Sequence, residues 1–312
     1  MVTVYFETMS FNDIIGQEIA KEIIQKDIMK ERLPSSYLFI GPRGVGKKLT
    51  AVNLAKAINC YKKGVDPCDN CTNCSLIDKG NFPDCIIVSP DEKGTIKIDR
   101  VRELKQAVTL KTIGRRVIII EDADTMTEEA QNAFLKTLEE PPFDTTIILI
   151  SSNPNYLFQT IISRCKIVKF RRLSKLEVGR LLKTRKVENA ELVANLSGGS
   201  MERALSLLES NTRKVAIKFA NLTVRKRLFT VNTLKDISIE EFLDSLYILY
   251  GDMLAQHFGL QVRNTDVKIV DKGLSSTLKG MSIIRQATLA LDYYVSSNNI
   301  LYYLAYNLPE MG

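Results

Sequence analysis

The sequence predicts an α/β domain, a parallel sheet with helices on both faces, followed by a region that is helical to its end. Two patterns predict it. Short apolar runs rich in Ile, Val and Phe recur at 37–40, 85–88, 117–120, 147–150 and 167–170, each the length of a strand buried on both faces. Between them lie stretches of helical periodicity at 14–32, 47–59, 99–110 and 127–139. Strands that alternate with helices in this way pair in parallel, because each helix returns the chain to the edge where the last strand began.

Past Phe170 the strand signals fade. Residues 174–185, 189–196 and 201–210 read as three short helices, with Gly198-Gly199 as a break. From about Lys214 the pattern stays helical, most clearly over 240–258 and 274–299. The expected division is 1–171, 172–212 and 213–312, which suits 312 residues at roughly 100–200 per domain. No internal repeat or low-complexity segment interrupts it.

With 45% apolar and 25% charged residues the composition is that of an ordinary globular protein. No run of about 18 apolar residues is present, and the first 13 residues lack a basic segment leading into an apolar one, so a soluble, cytoplasmic protein with no membrane partner is expected. The net charge of +7 suits a polyanionic partner, although the basic residues are spread along the chain as on any solvated basic surface. Six cysteines, at 60, 68, 71, 74, 85 and 165, do not form disulfides in a reducing compartment, so their clustering requires another cause.

The segment Gly41-Pro42-Arg43-Gly44-Val45-Gly46-Lys47-Lys48 follows a predicted strand and opens a predicted helix, the context that a phosphate-binding loop requires. Glycines let backbone N–H groups turn toward phosphate oxygens, the helix N-terminus favours the anion, and Lys47 reaches the terminal phosphates. Lys48 stands where a Ser or Thr hydroxyl would hold Mg²⁺, and Thr50 is too far along the helix to replace it. The strand 117–120 ends in Glu121 and Asp122, where nucleotide hydrolases carry carboxylates that orient Mg²⁺ and activate water, usually in the order Asp then Glu. The swap and Lys48 both weaken an ATP/Mg²⁺ site.

Cys68, Cys71 and Cys74 recur at every third position in a polar loop, with Cys60 eight residues upstream. Four thiolates at these spacings can close a tetrahedron around Zn²⁺ and leave no open position for water, so a structural zinc module at 60–74 is expected. His257 lies in a helical stretch, and no Ser-His-Asp or Cys-His nucleophile system is visible.

Taken together these residues resemble the bacterial clamp-loader subunits of DNA polymerase III, the delta-prime and gamma/tau proteins of the AAA+ superfamily. The resemblance runs from Phe11-Asn12-Asp13-Ile14-Ile15-Gly16-Gln17 through the phosphate loop and the cysteines. It continues through Asn132-Ala133-Phe134-Leu135-Lys136-Thr137-Leu138-Glu139-Glu140-Pro141-Pro142 to Ser163-Arg164-Cys165, covering about the first 210 residues. It implies an AAA+ domain, a small helical lid at 172–212 and a helical collar at 213–312. It also implies a five-subunit ring with gamma/tau and delta partners that opens a sliding clamp on primed DNA. In the resembled family the arginine matching Arg164 is presented to the ATP of a neighbouring subunit.

Motor subunits of that family carry Thr at Lys48, Asp-Glu at Glu121-Asp122, and an Arg where this chain has Glu202, next to Arg203. All three departures fall on ATP chemistry, while the cysteines and Arg164 remain. The expectation is a delta-prime-like subunit with weak or absent ATPase activity of its own. A gamma/tau-type motor ATPase is the alternative, and an unrelated AAA+ helicase loader is opposed by the cysteine insertion and by the segment 135–142.

Overall fold

The structure is a computed structural model in which residues 10–107, 112, 114–234, 237–270, 272–293 and 295–310 are described. In chain order its α-helices and strands begin with α1 (Glu18–Met29), β1 (Ser36–Ile40), α2 (Lys47–Asn59), α3 (Thr72–Asp78), β2 (Cys85–Val88) and α4 (Ile98–Ala107). Then come β3 (Arg116–Ile120), α5 (Glu128–Glu139), β4 (Thr145–Ser151), α6 (Gln159–Ile162) and β5 (Lys166–Lys169). Among the described residues only helices follow: α7 (Lys175–Thr184), α8 (Ala190–Leu196), α9 (Met201–Glu209), α10 (Thr212–Ala220), α11 (Val224–Val231), α12 (Ile239–His257), α13 (Leu274–Asp292) and α14 (Ser297–Asn307). The chain divides into two compact units, Met1–Glu177 and Val178–Gly312.

In the first unit the five strands form one sheet in the order β2-β3-β4-β1-β5, every pair parallel. β3 and β4 are buried along their whole length. Because strand residues alternate in direction, each strand feeds two cores. Tyr37, Phe39, Val117, Ile119, Ile148 and Ile150 pack with Ala20 and Ile24 of α1 and Ala51, Leu54 and Ala55 of α2. Leu38, Ile118, Ile120, Ile147 and Leu149 pack on the other face with Val101 and Leu104 of α4 and Phe134 and Leu138 of α5. The fold class expected from the sequence, a parallel sheet covered by helices on both faces, is therefore the one observed.

The periodic stretch 14–32 yields a shorter helix than expected, because Gly16 (φ 76°) and Gln17 (φ 62°) take left-handed conformations that a right-handed helix cannot include. The stretch expected as one helix over 274–299 is two, α13 and α14. Ser296 turns out of the helix and its hydroxyl accepts the N–H of Asn299, an N-cap that starts α14 afresh. The expected helix 99–110 is seen as α4, and its last three residues lie outside the described ones.

At the start of α7, Ser174 and Glu177 form a capping box: the Ser174 N–H donates to Glu177 Oε2 (2.6 Å) and the Glu177 N–H donates to Ser174 Oγ (3.2 Å). Arg171 adds two bonds to the same carboxylate. The core of the second unit comes mainly from α10 to α14, with Phe219, Phe242, Leu246, Tyr250, Ile284 and Leu304 buried. Arg227 is fully buried there, its guanidinium donating to the carbonyls of Phe219, Ala220, Leu308 and Pro309. These carbonyls lie at or just past the ends of α10 and α14, where a helix runs out of its own N–H donors.

Candidate nucleotide and metal sites

The phosphate loop lies at the carboxyl edge of the sheet, between β1 and α2, where open α/β sheets carry ligands. Gly41 lies so close to β5 that a Cβ there would strike the backbone carbonyl of Phe170. Gly44 (φ 70°) and Gly46 (φ 98°) hold left-handed conformations at low cost because they lack a Cβ. Lys47 begins α2 and is 6% exposed, with its ammonium donating to the carbonyls of Gly41 and Pro42 and to Ser152 Oγ.

Sequence reading cited Gln17 only as part of a resemblance. Its amide donates to the carbonyls of Val45 (3.2 Å) and Arg171 (2.6 Å) and accepts the Arg171 N–H (2.9 Å), joining the loop to the chain after β5. A buried, satisfied amide of this kind fixes the loop's position. Its left-handed backbone just before α1, which only the structure reveals, is what sets Gln17 apart from that helix. Asp124 is a second missed residue, accepting the N–H groups of Ser152 and Asn153 and so setting the turn that follows β4.

β4 lies between β1 and β3, which brings Glu121 and Asp122 at the end of β3 toward the loop. Lys48 Nζ lies 2.6 Å from Glu121 Oε1, and Ser89 Oγ donates to Glu121 Oε2 at 3.2 Å. Arg43 and Asp122 pair more loosely, at 3.7 Å. Each acid of the second motif thus faces a base of the first. Mg²⁺ requires a near-octahedral set of oxygen ligands. Position 48 offers an ammonium instead, and both oxygens of Glu121 are engaged, so the residues present do not fit that ion.

Cys60 closes α2, Cys71 caps α3, and Cys74 lies within α3, so two helix ends meet at the cysteine loop. The four Sγ atoms of Cys60, Cys68, Cys71 and Cys74 all lie within 4.8 Å of one another and could hold a metal ion. A tetrahedron with metal–sulfur bonds of about 2.3 Å has edges of about 3.8 Å, so a contraction of up to about 1 Å would bring the four sulfurs onto it. Backbone N–H groups of Cys68 and Cys74 point at the sulfurs of Cys60 and Cys71. Burial pushes the Cys71 thiol up, but the N–H groups of Cys74 and Tyr61 and the neighbouring thiols outweigh it and bring it down to about 6. Burial raises Cys60 and Cys74. Cys85 and Cys165 stand apart, each raised by burial to about 12.

Beneath this cluster lies a charge group that sequence reading missed. Lys56 of α2, 1% exposed, pairs with Asp69 of the cysteine loop and with Asp78 of α3 at 3.0 Å. Asn73 adds a bond to the Asn59 carbonyl (2.8 Å). A lysine among the small and apolar residues of 51–57, with acids nearby in a cysteine loop, is the signal that could have revealed it.

Arg164 follows α6 and is about one-third exposed, donating to the Thr160 carbonyl (2.7 Å) and to Glu139 Oε1 (2.6 Å) at the end of α5. Two of the segments that carry the resemblance, 132–142 and 163–165, therefore meet at one ion pair. In the second unit, Arg203 pairs with Asp244 at 2.8 Å.

Comparison with known proteins places this geometry in a lineage. A family model described as DNA polymerase III, delta subunit, matches residues 16–174. The DNA polymerase III subunit delta′ of Bacillus subtilis is 32% identical over 275 residues, which covers 83% of this chain and 82% of that protein. This chain belongs to the DNA polymerase III delta subunit family. Subunit tau of Bacillus subtilis is 33% identical over 255 residues, 78% of this chain, and the chain spans 44% of that protein's length. Subunit delta′ of Pseudomonas aeruginosa is 40% identical over 134 residues, 42% of this chain and 41% of that protein. As a member of the delta subunit family the chain has the parallel α/β domain and helical C-terminal region that the sequence led one to expect. Among the described residues no helix is long and apolar enough to cross a membrane.

Proposed function

We propose that this chain is a delta-prime-type subunit of the DNA polymerase III clamp loader, one that completes a neighbour's nucleotide site and does not turn over ATP itself. The observation that carries the reading is the Lys48–Glu121 ion pair. Phosphoryl transfer needs a metal ion to neutralise developing charge and a carboxylate free to orient it. Here the carboxylate is held by a lysine of the same chain, while the loop around Lys47 keeps its shape. Arg164 and the cysteine loop remain, as a partner-completing subunit requires.

In this reading the guanidinium of Arg164 exchanges Glu139 for the γ-phosphate of an adjacent subunit's nucleotide. An arginine at that point stabilises charge on the transferring phosphoryl group. Cys60, Cys68, Cys71 and Cys74 hold a structural Zn²⁺, which ties the loop to α2 and α3 and takes no part in chemistry. Residues 172–212 serve as the lid and 213–312 as the collar through which the chain assembles with gamma/tau and delta. The sliding clamp and primed DNA are engaged by the whole assembly.

The test is reconstitution. The chain is mixed with purified gamma/tau and delta subunits, and clamp loading on primed DNA is measured with and without it. Co-assembly with loading that depends on the chain supports the proposal, and failure to assemble overturns it. The intact loop favours the gamma/tau-type motor as a second reading. Mg²⁺-dependent ATP turnover by the isolated chain, abolished by Lys47→Ala, would establish that reading instead.

A further inference from the structure

A nucleoside polyphosphate needs positive charge at its β- and γ-phosphates, and phosphate loops ordinarily draw part of it from Mg²⁺ held by a hydroxyl and an acid. Here that part of the site is altered in a concerted way. The hydroxyl position is Lys48, whose ammonium sits 2.6 Å from Glu121, the first acid after β3. The other oxygen of Glu121 is taken by Ser89. Asp122 faces Arg43. Lys48 brings to the loop a positive charge that Thr at the same position would not supply. A dication entering here would have to displace Lys48 from its carboxylate and then lie beside the displaced ammonium, and like charges at that range repel.

The loop itself is shaped for phosphate. Gly44 and Gly46 hold the left-handed turns, and Gln17 fixes Val45 from outside, so the binding half of the motif is kept while the metal half is replaced.

We propose that the Lys48 ammonium, held by Glu121, serves as a built-in cation in place of Mg²⁺, so that the loop binds a nucleoside di- or triphosphate without metal. This rests on reading the loop as a phosphate site. It is independent of whether the chain joins a clamp loader, which co-assembly alone decides. Lys48 contacts the terminal phosphate from the first turn of α2, beside Lys47, and Glu121 restrains the ammonium in the role that a carboxylate otherwise has toward the metal.

The full chain is titrated with a fluorescent N-methylanthraniloyl derivative of ADP, read by anisotropy, once in EDTA and once in excess Mg²⁺. Manganese electron paramagnetic resonance reports separately whether the nucleotide brings a divalent ion onto the protein. The wild-type Kd is expected to differ by less than about threefold between the two conditions, with no nucleotide-dependent protein-bound manganese. Lys48→Thr is expected to weaken metal-free binding by about tenfold and to make Mg²⁺ strengthen what remains. Lys47→Ala should reduce binding in both conditions. The proposal is overturned if Mg²⁺ tightens wild-type binding by more than about tenfold, or if the wild type shows no saturable binding in EDTA. Should Lys48→Thr prove misfolded by its melting curve, the wild-type comparison and the manganese signal still decide.

Discussion

The ammonium of Lys56, buried in α2, lies 3.0 Å from the carboxylate of Asp78 in α3. With Asp69 on its other side it forms the only ion-pair group among the described residues that links α2 to both the cysteine loop and α3. Burial alone would lower the lysine's pKa, but the two carboxylates raise it above its ordinary 10.5. The stability it contributes is therefore fully present at neutral pH and is lost only as pH climbs through that raised value. Lys56→Met should cost about 3 kcal/mol in urea unfolding, because two part-buried carboxylates are left facing each other. Adding Asp69→Asn and Asp78→Asn should recover much of that loss. A Lys56→Met protein as stable as the wild type would show the group to be ornamental.

The cysteine cluster predicts a proton count. Metal binds thiolates, so each thiol still protonated must release its proton. At pH 7.5, Cys71 with a pKa of about 6 is already ionised, whereas Cys60 and Cys74 are raised and hold their protons. Addition of Zn²⁺ to the metal-free protein should therefore release fewer than four protons, measurable with an indicator dye. Elemental analysis of protein purified without added metal should find about one equivalent of zinc, given the high affinity of four-thiolate sites. Chelation should loosen the loop and leave the far-ultraviolet signal of the sheet in place.

Acid sensitivity follows from Glu177. The Arg171 guanidinium beside it and the N–H of Ser174 bring its carboxyl from 4.5 down to about 2. A depressed folded-state pKa means that the unfolded chain binds more protons between these two values. The stabilisation is present above pH 4.5 and lost as pH falls toward 2. Glu177→Gln should lower the melting temperature at pH 7 and flatten its decline across that window. An unchanged slope in the variant would assign the acid sensitivity elsewhere.

Arg164→Ala separates structure from assembly. Its pair with Glu139 is part-exposed, and such pairs contribute under about 1 kcal/mol, so folding and metal content should not change. In the reconstituted loader the same substitution should lower DNA-stimulated ATPase by the share of one site. Undiminished loading and hydrolysis would reduce Arg164 to an ordinary surface residue.

Much of this molecule is legible in its sequence. All five strands appear within two residues of where their apolar runs lie, because a strand buried on both faces must be apolar throughout. The loop between β1 and α2 is marked by its glycines, and the four-cysteine cluster by its spacing. Less legible were the helix boundaries near Gln17 and Ser296. There a single side chain or backbone conformation overrides a periodicity that continues through it.

By itself the sequence determined the elements, the loop and the cysteine set, since periodicity and turn chemistry act over a few neighbouring residues. It also showed that Lys48 and Glu121 depart from a motor ATPase, but as two separate losses. Only the tertiary structure decided that they face each other as an ion pair. β4 lies between β1 and β3, and that strand order brings the first turn of α2 to the end of β3, 73 positions further along the chain. The same holds for Lys56 with Asp78 and Arg164 with Glu139. A charge finds its partner through the packing of elements, and no local pattern records which element will arrive beside it.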